Sequence, residues 1–458
     1  MLDPRTWFYV TVRELEAWIG LVVMNSLHSY PSFEKYYSTD FAYEMRQVPH
    51  VMSKTRFMQI KRFLHVSKDE KRTPDDPLGK IRPLLVTLLE ACQDSYNPHR
   101  EVSIDEMDVP FKGRCRFKSR INYKRAGDGF LVYALCDASN GYTYSFQVSF
   151  DSTVPNINAD EGKLANAVYN LTSKLKSKWH VVVTDNLYTS VKVANTLYSM
   201  QQLFLGTCRL NRGFPRCISM VKATSKRAHE ENKGKMVSKS KGNVLALAYY
   251  DNKPVHFLST AHIAAQMVEK ERDVHIPCGE GTYRKTTIVK ELPNVVRDYN
   301  MWMDGVDVAD QLRSYYDSKL KSHKWWHTFF FWAIDTAISN AYILHKGECS
   351  KRSLTAMSHE GFRSRLAEQL VGGYVRRSDE EVKGKRHSSR EAAIVAPAKR
   401  VAGRHLIRAI QGSASKYTPE RDCVQCKRAG VGRKRTVFEC GDCDVGLHPR
   451  CFYQYHTE

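Results

Sequence analysis

Apolar positions recur at helical spacing through the first hundred residues: in Glu14-Leu-Glu-Ala-Trp-Ile-Gly-Leu-Val-Val-Met, in Phe57-Met-Gln-Ile-Lys-Arg-Phe-Leu-His, and from Ile81 to Cys92. A repeat of three to four residues puts these side chains on one face of a helix, so residues 1–100 are expected to form a helical region. From Val102 the texture changes. Val102-Ser-Ile-Asp, Phe130-Leu-Val-Tyr-Ala-Leu-Cys and Tyr142-Thr-Tyr-Ser-Phe-Gln-Val read as three strands separated by Gly and Asn turns. A helical segment over 161–174 then precedes Trp179-His-Val-Val-Val-Thr, a β-branched run suited to a strand covered on both faces, which ends at Asp185-Asn186. A second helix over 190–200 leads to a fifth strand, Leu203-Phe-Leu-Gly-Thr-Cys. Three strands, helix, strand, helix, strand is the order of an RNase H-like core, and the fold class expected is a mixed α and β one built on it.

Residues 212–297 are rich in Gly and Lys with scattered strand patterns, such as Val244-Leu-Ala-Leu-Ala-Tyr-Tyr and Val255-His-Phe-Leu-Ser-Thr, and are expected to be a β-rich insertion. Helical spacing returns over Asp304–Leu320 and Trp325–His345, so 101–211 and 298–372 are read as two parts of one core. Beyond Gly372 the chain turns to Lys, Arg, Ser, Gly and Ala. That composition predicts a disordered basic linker over 373–416, followed by a small cysteine-rich domain over 417–458.

Charge narrows the partner. Among 458 residues, 70 Lys and Arg face 49 Asp and Glu, a formal +21 with a pI near 9.4. Such a balance suits a polyanion, with nucleic acid first. Met1-Leu-Asp-Pro-Arg is not the basic start and apolar run of an export signal, so an intracellular protein is expected, in the nucleus if the partner is DNA. The most apolar stretch, Phe329 to Leu344, contains Asp335 and is too short for a bilayer core of about 30 Å, so it reads as a buried helix and no membrane partner is expected.

Three acids stand where a sheet could gather them: Asp105 in the first strand, Asp185 at the end of the fourth, and Asp307 beyond the insertion. Strand ends of an open sheet are where ligands usually sit. Carboxylates from neighbouring elements can hold two Mg²⁺ or Mn²⁺ ions about 4 Å apart for phosphodiester chemistry. Asp304, Asp307 and Asp310 fall at i, i+3 and i+6, a stripe that a cation would relieve but that also suits a solvated face. An isolated Asp after a strand is more often a turn or cap residue, and Asp137, Asp151 and Asp160 are read that way.

Phosphate-contact candidates are Lys112, Arg114, Arg116, Lys118, Arg120, Lys124 and Arg125 after the first strand, Arg209 and Arg212 after the fifth, and Lys319, Lys321 and Lys324 ahead of Trp325 and Trp326. The tryptophans themselves are expected in the core. In the linker, Lys383, Lys385, Arg386, Lys399 and Arg400 suit a nonspecific anchor or an import signal.

Twelve cysteines without an export signal favour thiols or metal ligands over disulfides. Cys423 and Cys426, Cys440 and Cys443, and His448 and Cys451 form pairs with a two-residue gap, with His456 behind. Two such pairs complete a tetrahedral zinc site. An interleaved arrangement would use Cys423, Cys426, His448 and Cys451 at one site, and Cys440, Cys443 and His456 at the other. That makes seven ligands, and water, His405 or a shifted ligand would supply an eighth. The spacing also resembles RING and PHD-type modules, so a protein-interaction role stays open.

Several segments in order carry a specific resemblance. They are Ser103-Ile-Asp-Glu-Met with Phe111-Lys-Gly-Arg, Val183-Thr-Asp-Asn-Leu-Tyr-Thr-Ser, Gly206-Thr-Cys-Arg-Leu-Asn-Arg-Gly-Phe-Pro, Tyr299-Asn-Met-Trp-Met-Asp-Gly-Val-Asp-Val-Ala-Asp-Gln, Lys324-Trp-Trp and Asn340-Ala-Tyr-Ile-Leu. Together they resemble piggyBac-like transposases from about Pro4 to the C-terminus. The resemblance implies a DDE/D transposase in which Asp105, Asp185 and Asp307 match the metal-binding catalytic triad and Asp310 matches a fourth acid. It further implies cut-and-paste transposition through DNA hairpins at TTAA sites, a homodimer that synapses two ends, and a cysteine-rich domain that reads the transposon end. The chain departs from the family in three places. Asp304 replaces the first of two glycines before the third acid, Lys124-Arg-Ala-Gly-Asp-Gly-Phe stands where members have Lys-Pro-x-Lys-Trp-Gly, and the acidic N-terminal region is missing. These departures keep a second reading in view, a domesticated DNA-binding protein without turnover.

Overall fold

Thr11 and Ser53 accept hydrogen bonds from the N–H groups of Glu14 and Arg56, so each starts a helix by satisfying an orphan donor. The helices are α1 (Val12–Leu27) and α3 (Lys54–Phe63), with α2 (Gln47–Val51) between them and α4 (Arg82–Ser95) following. In the computed structural model the described residues are 7–30, 32–68, 75–120, 127–279, 282–375, 407–410, 420–441 and 443–457. They belong to two units, Met1–Arg376 and Arg377–Glu458. α1 buries Ala17, Trp18, Leu21 and Val22, and the forked guanidinium of Arg56 meets both oxygens of buried Glu14 at 2.8 and 2.7 Å, tying α3 to α1.

The alternating segment becomes β1 (Glu101–Pro110), β2 (Ser119–Arg120), β3 (Asp128–Asp137) and β4 (Thr143–Val148). α5 (Lys163–Thr172), β5 (Val181–Thr184), α6 (Val191–Ser199) and β6 (Leu203–Thr207) follow in the expected order. β1 is central. It pairs antiparallel with β3 and parallel with β5, β5 pairs parallel with β6, and β4 lies beyond β3. All four residues of β5 are buried, as its unbroken β-branched run requires.

Residues 212–297 extend that same sheet. After α7 (Lys226–Asn232), β7 (Met236–Lys241), β8 (Val244–Tyr250) and β9 (Pro254–Ser259) continue it from β6 in the order β9, β8, β7. β10 (Met267–Gly279) and β11 (Thr282–Pro293) form a separate antiparallel ribbon. A helix, α8 (Asn294–Trp302), begins in the last residues of this segment and runs past it. α9 (Gly305–Ser314) stops short of the expected Leu320, and α10 (Trp325–Lys351) and α11 (His359–Val371) close the unit. No helix among the described residues is long and apolar enough to cross a membrane. Asp335 in α10 is buried, bonded to the N–H and hydroxyl of Ser318 at 3.0 and 2.9 Å and paired with Arg363 of α11 at 3.2 Å.

In the second unit, β12 (Ile407–Ala409), β15 (Phe438–Cys440) and β16 (Val445–Gly446) form one small sheet, while β13 (Arg421–Asp422) pairs with β14 (Arg435–Thr436). α12 (Val424–Arg428) and α13 (Pro449–Thr457) complete it. Its buried core includes Cys423, Cys426, Cys440, Val445, Leu447 and Tyr455, half of them thiols. A core this small is of the kind that a metal must supplement.

Candidate functional site

The parallel register of β1 and β5 sets Ile104 beside Thr184, so the next residues, Asp105 within β1 and Asp185 just past the end of β5, lie side by side. Ser103 faces α9, because a β-carbon on Gly305 would lie 2.4 Å from its hydroxyl oxygen. Alternation along the strand then puts Asp105 on the same face. At the other end of α9, Arg313 bonds the Asp108 carbonyl at 3.2 Å. α9 therefore runs along the stretch of β1 that holds Asp105, carrying exposed Asp307 in its first turn. Asp310, one turn on, pairs with Arg313 at 2.9 Å. Asp304 precedes the helix at the N-cap position without capping it.

The electrostatics connect Asp105 with Asp185, and both with Asp304. Burial raises the Asp185 carboxyl above its ordinary value, the Leu187 N–H at 2.7 Å opposes that, and the Asp105 charge adds to the rise while Arg209 offsets it. Tyr299 of α8 was not singled out from the sequence. Burial pushes its phenol up to about 12, with the charges of Asp185, Asp105 and Asp304 adding to that, and its hydroxyl lies 3.4 Å from that of Thr207. Tyr188 and Glu106 were also missed, although both sit inside motifs quoted above. The Tyr188 hydroxyl donates to Glu106 at 2.6 Å, and burial together with that carboxylate raises its pKa.

Among the described residues, the groups whose three or more ligand atoms all lie within 4.8 Å of one another are two Cys/His groups, and the acids do not form a third. Carboxylates of like charge repel, and a pair of ions about 4 Å apart is spanned by a wider set of oxygens than one ion is. The all-oxygen donor set fits Mg²⁺ or Mn²⁺. Asp137 and Asp151 hold turns and ion pairs, Asp137 bonding the Ser139 and His99 amides at 2.9 and 2.7 Å and Asp151 pairing with Arg82 at 2.9 Å.

Of the basic candidates, Lys112, Arg114, Arg209, Arg212, Lys321 and Lys324 are exposed. Lys124 and Arg125 lie outside the described residues. Lys118 is paired with Asp128 at 2.9 Å, and Arg209 is bonded to the Asn186 side chain at 2.7 Å, one residue from Asp185. The loop before α10 is laced to α3, with Lys61 donating to the Lys321 carbonyl at 2.6 Å and Lys324 to that of Arg62. Lys319 is held below the usual ammonium range by burial, to which Arg313 and Lys112 add their charges. Trp326 is buried, and Trp325 packs edge-on against Phe117, Phe130 and Phe150.

The cysteine pairs interleave as their spacing suggested. Cys423, Cys426, His448 and Cys451 form one group, and Cys440, Cys443 and His456 the other. His448 turns Nδ1 toward the Cys426 sulfur at 3.4 Å and donates from Nε2 to the Arg435 carbonyl at 2.9 Å. His456 reverses the ring, with Nε2 3.6 Å from the Cys443 sulfur and Nδ1 donating to the Phe452 carbonyl at 2.7 Å. A carbonyl on the far nitrogen fixes the tautomer and presents the other lone pair to a metal. Burial alone would raise the Cys423 thiol, but hydrogen bonds from the His448 and Cys426 backbone bring it down to about 7. Both groups could hold a metal ion. His405, considered as an eighth ligand, lies outside the described residues.

A family model described as Transposase IS4 matches residues 3–342. The chain belongs to this transposase family. Its piggyBac-like character, read from the motifs, is shown by its relatives. It is 26% identical over 462 residues to human PiggyBac transposable element-derived protein 3, an alignment covering 98% of this chain and 71% of that protein. It is 24% identical to human PiggyBac transposable element-derived protein 5 over 80% of this chain and 68% of that protein. Among solved structures, a piggyBac transposase synaptic complex with hairpin DNA matches with a TM-score of 0.68 at 19% identity, covering 98% of this chain and 90% of that one. The transposase thus shares the mixed α/β fold of that structure.

Proposed function

We propose that this transposase is a metal-dependent cut-and-paste enzyme acting on double-stranded DNA, with an RNase H-like core in which Asp105, Asp185 and Asp307 hold two Mg²⁺ or Mn²⁺ ions. The observation that supports it best is the register that sets Asp105 beside Asp185 on the face covered by α9. Divalent ions bound there would activate a water or a DNA 3′ hydroxyl and steady the departing oxygen. Arg313 holds Asp310 in place at 2.9 Å, while Lys112, Arg114, Lys321 and Lys324 give the backbone exposed cations to follow. The two Cys/His groups would hold zinc and so fold the C-terminal unit, which would read the transposon end. By likeness to its family, the reaction passes through DNA hairpins and joins at TTAA, the protein works as a homodimer, and its place is the nucleus.

The test is to look for inverted repeats with TTAA on either side of this coding region and to assay Mg²⁺-dependent nicking of DNA that carries them. Wild-type protein should cut and then rejoin the ends, and Asp105→Ala, Asp185→Ala and Asp307→Ala should bind the same DNA without cutting it. A second reading, a domesticated DNA binder without turnover, has one observation in its favour. The additional carboxylate of Asp304 acts on the same Tyr299 phenol as Asp105 and Asp185. Wild-type protein that binds those ends and never cuts them would establish that reading.

A further inference from the structure

The main-chain ladder between β1 and β5 ends at Ile104 and Thr184, one residue before the acids it brings together. Beyond that point the backbone no longer fixes the distance between the Asp105 and Asp185 segments. A side-chain bond takes over. Glu106 follows Asp105 directly and Tyr188 lies three residues after Asp185, and the Tyr188 hydroxyl donates to the Glu106 carboxylate at 2.6 Å. A hydrogen bond of this length to a carboxylate is of the strong, charge-assisted kind.

Each end of this link is anchored. Tyr188 is 2% exposed, and its ring meets that of Tyr133 edge-on, 6.2 Å between centroids, on the strand position directly opposite Glu106. The loop that carries Tyr188 is closed on itself, because Thr189 donates to the Asp185 carbonyl at 2.7 Å and lies 3.0 Å from the Thr184 hydroxyl. Gly206 leaves room for that knot, since a β-carbon there would come 2.3 Å from the Thr189 hydroxyl. The carboxylates are oriented by adjoining amides. Glu106 N–H donates to Asp105 at 2.8 Å and Leu187 N–H to Asp185 at 2.7 Å. Glu106 and Tyr188 thus flank the two amides that aim the acids, and the bond between them fixes one amide relative to the other.

We infer that Glu106 and Tyr188 are positioning residues, a tie just beyond the paired stretch of β1 and β5 that sets the separation of the Asp105 and Asp185 carboxylates for the cations they bind. Alternation puts Glu106 on the opposite sheet face from Asp105, so it aims the site without entering it. This inference rests on the metal-dependent reading above.

The test uses the full chain with Mn²⁺ as probe, its uptake followed by calorimetry, alongside thermal melting and cleavage of end DNA. Tyr188→Phe keeps the ring and deletes only the hydroxyl, and Glu106→Gln keeps the shape and removes the charge. Removing an outer partner of a metal ligand typically costs about tenfold to a hundredfold in affinity or activity. Each variant should therefore bind Mn²⁺ about tenfold more weakly and cleave with lower kcat at unchanged KM for DNA, and the double variant should lose no more than the worse single one. A merely structural role would lower the melting temperature and leave Mn²⁺ affinity unmoved at a temperature where the variants are folded, and that result would overturn the tie. Wild-type protein that takes up no Mn²⁺ would overturn the metal-dependent reading along with it, whereas equal uptake by wild type and Tyr188→Phe overturns the tie alone.

Discussion

Gly305 stands so close to Ser103 that a β-carbon on it would lie 2.4 Å from the serine hydroxyl oxygen, with the Ala138 Cα and the Asp137 carbonyl oxygen only 2.9 and 3.0 Å away. Rotating Ser103 relieves the first contact. The other two are backbone and cannot turn aside. Gly305→Ala should therefore push α9 off β1 and lower stability by about 1–3 kcal/mol, the usual cost of overfilling a packed contact. It should also lower DNA cleavage by more than the unfolded fraction explains, because Asp307 moves with the helix. Urea unfolding and cleavage by the folded protein check both, and unchanged activity would contradict the placement of Asp307.

The buried pair of Asp335 and Arg363 gives a pH dependence of definite sign. Burial raises the Asp335 carboxyl to about 6 in spite of Arg363, and burial lowers Arg363 in spite of Asp335, so desolvation outweighs pairing at both ends. An aspartate in the unfolded chain titrates near 4. The folded state holds the proton more tightly, so this group's contribution is fully present below about pH 4 and is lost as pH rises through about 6. Asp335→Asn should remove that slope, as measured by urea unfolding from pH 4 to 7. Arg363→Met should cost about 3–5 kcal/mol at neutral pH by stranding a buried carboxylate.

The two Cys/His groups lead to a metal count. Purified protein should carry two zinc ions per chain, Cys426→Ser should lose one, and Cys443→Ser the other. A strong chelator should melt the 407–457 region as seen by amide exchange, because ligand binding there is part of folding. Metal analysis that finds none would remove the zinc assignment.

Salt dependence probes the cationic surface. Lys321 and Lys324, in the loop laced to α3, are exposed and have no carboxylate partner among the described residues. If both meet phosphates, replacing them together with Ala should lower the slope of log affinity against log salt by about 2, without changing which DNA ends are preferred. An unchanged slope would place the DNA track elsewhere.

Much of the fold was readable because its signals are strong. β5 is a β-branched run, β3 and β4 are rich in aromatic and branched residues between turns, and α10 begins with Trp325, Trp326 and Phe329 on a clear apolar repeat. The rest was hidden for physical reasons. β7 reads Met-Val-Ser-Lys-Ser-Lys and is almost wholly exposed, so nothing in its pattern says that it borders the main sheet. β10 and β11 pair with each other and carry runs of Lys, Arg and Glu, with few buried positions among their described side chains to set a period. α9 ends at Ser314 although the polar pattern continues, because polar spacing does not mark a stop.

The acids were legible as residues and not as a site. Asp105 could be placed within a strand and Asp185 at a strand end from the sequence, but their adjacency comes from β1 and β5 being neighbours, a topological fact that spacing does not carry. Tyr299 opened a quoted motif without being given a role, and only the fold brings its phenol to the acids. The cysteines were the opposite case. The two-residue gaps alone fixed the ligand pairs, and the structure shows which pairs share a site.

The claim on which the account depends is that Asp105, Asp185 and Asp307 together hold divalent ions. The most direct measurement is anomalous scattering from crystals of the full chain soaked in Mn²⁺. Two peaks about 4 Å apart, touching oxygens of all three carboxylates, are expected. Peaks confined to one acid, or none at Mn²⁺ concentrations that saturate binding in solution, would contradict it.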